Sequence, residues 1–94
     1  MAHLLTLFTV EDYAKWKTVF DEHAPMRKAH GSQGGRRFRN ADNPSEIIVL
    51  LEWDDVEKAR EFAGSEDLRE AMQQAGVVGR PETRLMEEEE AATA

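Results

Sequence analysis

The octapeptide from Glu46 to Trp53, EIIVLLEW, is apolar on both sides of any strand it forms. Side chains alternate along a strand, so Ile47, Val49, Leu51 and Trp53 share one face, and Glu46, Ile48, Leu50 and Glu52 the other. The opening segment, residues 2–10, behaves in the same way, with Leu4, Thr6, Phe8 and Val10 opposite His3, Leu5, Leu7 and Thr9. Two such strands belong in the middle of a sheet with something packed against each surface. A chain of 94 residues has few elements left with which to do this.

The remaining segments supply helices for one surface. Glu11 and Asp12 place negative charge at a helix start. Beyond them Tyr13, Trp16, Val19, Phe20 and His23 fall on one side, with Lys15, Thr18, Asp21 and Glu22 opposite. Pro25 has no amide hydrogen, which predicts a kink or restart near Ala24. The helix should end by Gly31, with His30 in its last turn. GSQGG (31–35) reads as a loop, residues 36–40 as a short strand, and ADNPSE as a turn before the central strand at 46–53. Asp54 is expected to cap the next helix, with Glu57 completing a capping box. Val56, Ala59, Phe62 and Ala63 form its face up to Gly64; Ser65 caps a second piece bearing Leu68, Ala71, Met72 and Ala75, closed by Gly76. VVGRP then leads into a last strand near 82–87. The domain is expected to span 1–88, with 89–94 a frayed acidic tail.

This order, β-α-β-β-α-β, is that of an α+β, ferredoxin-like fold: a four-stranded antiparallel sheet with helices on one face. Strands 1 and 3 are its central pair, so whichever of their two faces the helices leave uncovered would expose an apolar stripe in a single copy. Soluble monomers rarely expose so continuous an apolar stripe. A second copy, joined through the sheet face by a twofold contact, is the economical cover, and a homodimer is expected. The edges carry the charges: Arg36, Arg37, Arg39, Glu82, Arg84 and Glu87. Glu52 is expected to pair with Arg37 or Arg39 across strands 2 and 3.

Several function classes fall away. A net charge of -7 disfavours nucleic acid and anionic membranes, and EIIVLLEW lacks the aromatics that stack RNA bases. Without cysteine there is no thiolate nucleophile, disulfide or Cys-based metal site. His3, His23 and His30 lack the spacing of a helical metal pair, so no metal is expected. The first ten residues have neither a basic region nor a cleavage site, and their apolar run is too short for a membrane span. A soluble cytoplasmic protein is the expectation.

The pattern Y-x-x-W-x-x-x-F-D-x-H from Tyr13 to His23, a Gly-rich bend, R-x-F-R from Arg36 to Arg39, and E-W-D-D from Glu52 to Asp55 resemble the dimeric α+β barrel superfamily. Within it the chain is most similar to small proteins related to antibiotic biosynthesis monooxygenases, from His3 to about Met86. The resemblance implies two sheets packed into a barrel, and a pocket between helices and sheet in each subunit. It also implies oxidation of polycyclic phenols or quinols by molecular oxygen with no bound cofactor. Haem-degrading relatives use an Asn on the first strand and a His in the second helical region; this chain has neither, and that activity is not expected.

On this reading His23 would be the catalytic base, and Trp16, Phe20 and Trp53 the apolar walls around a small aromatic ligand. Arg27 would hold a substrate anion, or else form a salt bridge to an acidic neighbour; Lys28 faces solvent. The same residues also allow a plainer role. Tyr13, Trp16 and Phe20 suffice as a packing ridge, His23 as a hydrogen-bonded residue at the helix–sheet seam, and the whole as a non-catalytic ligand-binding or dimerisation module.

Overall fold

Two strands, β1 (Ala2–Val10) and β3 (Glu46–Trp53), run antiparallel in the middle of the sheet, pairing Leu4 with Leu51, Thr6 with Val49 and Phe8 with Ile47. The computed structural model describes residues 1–93; Ala94, the end of the expected tail, lies outside the described residues. The strand order is β2-β3-β1-β4, with β2 (Ser32–Arg39) and β4 (Val77–Glu87) at the edges. The helices are α1 (Tyr13–Glu22), α2 (Ala24–His30), α3 (Val56–Ala63) and α4 (Glu66–Gln74). This is the ferredoxin-like α+β arrangement, with each expected helix divided in two.

The strand faces divide as their alternation dictates. Ala2, Leu4, Thr6, Phe8 and Val10 of β1 are buried, as are Ile47, Val49, Leu51 and Trp53 of β3. Together with Trp16, Ala59, Phe62 and Ala75 they make the core under the helices. On the opposite face Leu5, Leu7, Ile48 and Leu50 are only half-buried. Beside them Phe38, Val78 and Met86 are 47%, 50% and 38% exposed.

Local chemistry sets the helix ends. The Asp12 carboxylate accepts from the Lys15 amide at 3.3 Å, satisfying one free donor of α1. The break at His23, followed by Pro25 in the first turn of α2, separates α1 from α2 where a proline would otherwise have lost an internal bond. Gly31 closes α2 in the left-handed region, at φ 111°, where a side chain would be strained. Ser65 caps α4 by accepting from the Leu68 amide at 3.2 Å.

Four local expectations are corrected. Asp55, not Asp54, caps α3, accepting from the Glu57 amide at 2.9 Å; β3 runs to Trp53, and one more residue is needed to turn the chain into the helix. The segment expected as a loop at 31–35 mostly belongs to β2, which starts at Ser32 opposite Trp53 and bulges before Gly35. Gly35 rests so closely on β3 that an added Cβ would collide with the Leu50 carbonyl. Likewise β4 begins at Val77, five residues earlier than its expected start at 82, because Val77 and Val78 pair with Val10 and Thr9. Pro81 is tolerated there because β4 is an edge.

The fourth correction concerns Glu52. Arg37 lies opposite Val49 and Arg39 opposite Ile47, so both arginines are on the helix side of the sheet while Glu52 is on the other. Arg37 instead donates to Asp21 at 2.7 Å, and Arg39 stacks 3.8 Å over the Tyr13 ring. Glu52 lies 3.9 Å from His3. Among the described residues no helix is long and apolar enough to cross a membrane.

Candidate functional site

A cavity of about 60 Å³ lies between the helices and the buried face of the sheet. Its floor is Thr6 and Phe8 of β1 with Val49 and Leu51 of β3. The wall over it comes from α1 and α2 through Trp16, Phe20, His23, Met26 and Arg27. Phe62 of α3 and Leu68, Ala71 and Met72 of α4 close the other side. The surface is almost wholly apolar, with three polar side chains, those of Thr6, His23 and Arg27.

His23 occupies the residue between α1 and α2, closing the first and opening the second. Its Nδ1 lies 2.8 Å from the Val19 carbonyl oxygen. A carbonyl can only accept, so Nδ1 carries the hydrogen and Nε2 is left with a lone pair in the neutral ring. The backbone thus fixes the tautomer and presents a base in a half-buried side chain that lines the cavity.

Arg27 lies one turn beyond His23 in α2, its amide bonded to the His23 carbonyl at 3.1 Å. Its Nη1 donates to the Phe20 carbonyl at 2.7 Å, and the guanidinium sits 3.7 Å over the Phe20 ring. Burial pushes its pKa below the ordinary arginine value; nearby Asp21 works against this and Arg37 adds to it. The group stays charged at neutral pH regardless. The salt bridge expected as its alternative role does not form: no carboxylate ion-pairs with Arg27 among the described residues. The acid beside it, Asp21, is taken by Lys17 at 2.9 Å and Arg37 at 2.7 Å, and their hydrogen bonds hold its carboxyl below the ordinary value.

The structure gathers four of the five expected site residues. Trp16 is buried at the centre of an aromatic stack, with ring centroids 5.8 Å from Phe8, 5.8 Å from Tyr13 and 5.0 Å from Phe20. Trp53 is apart from them. It is fully buried 5.3 Å from the Phe62 ring, outside the cavity lining, and its Nε1 has no hydrogen-bond partner among the described residues. Sequence reasoning did not single out Thr6 or the two methionines. Thr6 carried a signal nonetheless, as the one hydroxyl on the covered face of β1. Met26 and Met72 reach the cavity through tertiary packing; Met72 was marked only as part of the apolar face of its helix, and Met26 had no signal.

One base, one guanidinium and one hydroxyl in an apolar cavity can accept a proton from an acidic hydroxyl and stabilise the resulting anion. No group of three or more His, Asp or Glu side chains suited to a metal ion occurs among the described residues.

No family model and no curated protein matches the sequence. Solved structures do match the fold. A protein from Bordetella bronchiseptica assigned as an antibiotic biosynthesis monooxygenase superposes with a TM-score of 0.77 at 16% identity, covering 93% of this chain and 95% of its own. SnoaB, a cofactor-independent oxygenase from Streptomyces nogalater, gives 0.76 at 16% identity over 96% and 94%. A third, from Caulobacter crescentus and assigned like the first, gives 0.74 at 17% identity over 95% and 90%. The chain has the fold of the antibiotic biosynthesis monooxygenase-like proteins, as its motifs suggested.

Proposed function

We propose that this protein is a cofactor-independent, monooxygenase-like enzyme acting on a small aromatic or quinone-type compound bound in the cavity beneath α1 and α2. The observation that carries this reading is His23: its Nδ1 bond to Val19 leaves Nε2 as a base in an otherwise apolar cavity. Cofactor-free oxygenation requires such a group, because the electron-rich substrate anion itself must reduce oxygen. His23 takes the hydroxyl proton, Arg27 steadies the anion, and Trp16 and Phe20 hold the ring. Fold likeness to SnoaB, described as a cofactor-independent oxygenase, supports the reaction class.

The working form in this reading is a cytoplasmic homodimer. Support comes from the helix-free face, where Leu5, Leu7, Ile48 and Leu50 adjoin exposed Phe38, Val78 and Met86. A chain free of cysteine is compatible with a reducing compartment.

Oxygen uptake with a panel of hydroquinones tests the chemistry. His23→Ala should lower the rate by about 10²–10⁴-fold, the usual worth of a positioned base. An undiminished His23→Ala variant would overturn the mechanism while leaving the fold untouched. A second reading, a module that binds without turnover, draws on the stack of Tyr13, Trp16, Phe20 and Phe8, which packing alone accounts for. Binding with no oxygen uptake from any hydroquinone would establish it.

A further inference from the structure

Arg27 is a half-buried cation that no carboxylate ion-pairs among the described residues, and it lines the cavity. Its hydrogen bond goes to a backbone carbonyl, and its other contact is the face of Phe20. Removing a cation from water is costly unless an opposite charge meets it. Among the described residues none meets it directly: the nearby Asp21 is engaged by Lys17 and Arg37. Arg37 adds to the imbalance: its guanidinium lies 5.4 Å from the Phe20 ring and 5.8 Å from the Trp16 ring, both cavity walls. Positive charge thus sits at this wall of the cavity in a chain whose net charge is -7.

Next to Arg27 stands a group with the opposite demand. Nε2 of His23 is an acceptor, which a carboxylate would be repelled by and a hydroxyl would satisfy. Size adds a third constraint. The cavity of about 60 Å³ is smaller than the roughly 150 Å³ that admits benzene to an apolar core. A single ring requires the flexible side chains of Met26 and Met72 to give way, and fused rings require far more.

Resting on the reading of this cavity as the ligand site, we infer that its ligand is a single-ring hydroxyaryl carboxylate, with the carboxylate on Arg27 and the hydroxyl on His23. The restricted space favours one ring over fused polycycles. The ligand supplies the missing counter-charge of the site, and its ring lies among Trp16, Phe20 and the methionines.

Calorimetric titration of the full chain tests this with four probes: 4-hydroxybenzoate, neutral 4-hydroxybenzamide, benzoate and the two-ring 6-hydroxy-2-naphthoate. 4-Hydroxybenzoate should bind at least about ten-fold more tightly than each of the others, the scale of one charge-assisted hydrogen bond. Its advantage over the amide should vanish in Arg27→Gln and persist in Arg27→Lys. Equal binding of acid and amide, equal binding of the one- and two-ring acids, or an acid preference surviving in Arg27→Gln would each overturn the inference. The wild-type comparison needs no variant to fold. If the amide binds and the acid does not, this inference alone fails. If none of the four binds, the reading of the cavity as a ligand site falls with it. The expected ranking without oxygen uptake upholds the inference and removes only the oxygenase reading.

Discussion

Trp53→Phe is a large-to-small change in the core that should cost almost nothing. Trp53 is fully buried against Phe62, yet its Nε1 hydrogen meets no acceptor among the described residues. Truncating a buried Phe or Trp to Ala costs about 3–5 kcal/mol, so losing the five-membered part of the indole, roughly a third of the side chain, should cost about 1–1.5 kcal/mol. The same change removes an unsatisfied donor, whose burial costs about 1–3 kcal/mol. The net effect lies between a loss of about 0.5 and a gain of about 2 kcal/mol. For a domain of this size it corresponds to a Tm between about 4 °C lower and about 16 °C higher than wild type. Thermal melting followed by circular dichroism reads this directly. A fall of more than about 10 °C would refute the reasoning, showing that the indole N–H is satisfied in solution. Because Trp53 is outside the cavity lining, Trp53→Phe should also leave 4-hydroxybenzoate binding unchanged, whereas Trp16→Phe should weaken it.

Three further outcomes are expected. Gly35→Ala should destabilise by about 3 kcal/mol or more in a urea melt, since its Cβ would meet the Leu50 carbonyl and come 2.8 Å from the Leu51 Cα, and backbone cannot yield. Lys17 and Arg37 hold the Asp21 carboxyl below its ordinary 3.8, so its contribution to stability is present above that value and is lost as the pH falls through the lowered one. Asp21→Asn should accordingly melt below wild type at neutral pH and converge with it in acid; identical melts at both would show that these exposed contacts add nothing. Leu50→Arg, on the helix-free face, should halve the sedimenting mass while keeping the circular dichroism spectrum; a wild type that already sediments as one copy would sink the pairing of sheets.

The legible parts of this fold were those written in short periods. Both central strands declared their faces through simple alternation, and Asp12, Ser65 and Gly31 announced helix ends through chemistry within three or four residues. The first halves of β2 and β4 were hidden because their glycines and Pro81 are turn signals locally. Their strand character comes from unpaired groups on β3 and β1, far away in sequence. Arg37 and Arg39 were misplaced for a related reason. RRFR is charged on both faces, so nothing in it sets the parity of the edge strand. For the site, helical spacing joined Trp16, Phe20 and His23 on one ridge and carried Arg27 onto the next turn. Trp53 shares their side of the sheet, but which helix lies above a given strand residue is a tertiary fact, and above Trp53 it is α3.

The break between α1 and α2 and the polar side of the cavity are one feature. A helix that stops leaves its last carbonyls without intrahelical donors. At the end of α1 the Val19 oxygen receives both the His23 amide, at 3.1 Å, and His23 Nδ1, at 2.8 Å. The Phe20 oxygen receives Arg27 Nη1 at 2.7 Å. Capping the helix therefore orients the imidazole and the guanidinium before any ligand arrives. A positive group at this terminus also suits the helix dipole, which helps to explain how Arg27 is held half-buried without a carboxylate. An uninterrupted helix would give the Phe20 carbonyl the Ala24 amide and close the place that Arg27 Nη1 fills, whereas Val19 keeps its His23 amide in either case. The discontinuity thus contributes twice: it leaves the Phe20 oxygen to a side-chain donor, and it brings a base and a cation, each anchored to a carbonyl of α1, to the lining of one apolar cavity.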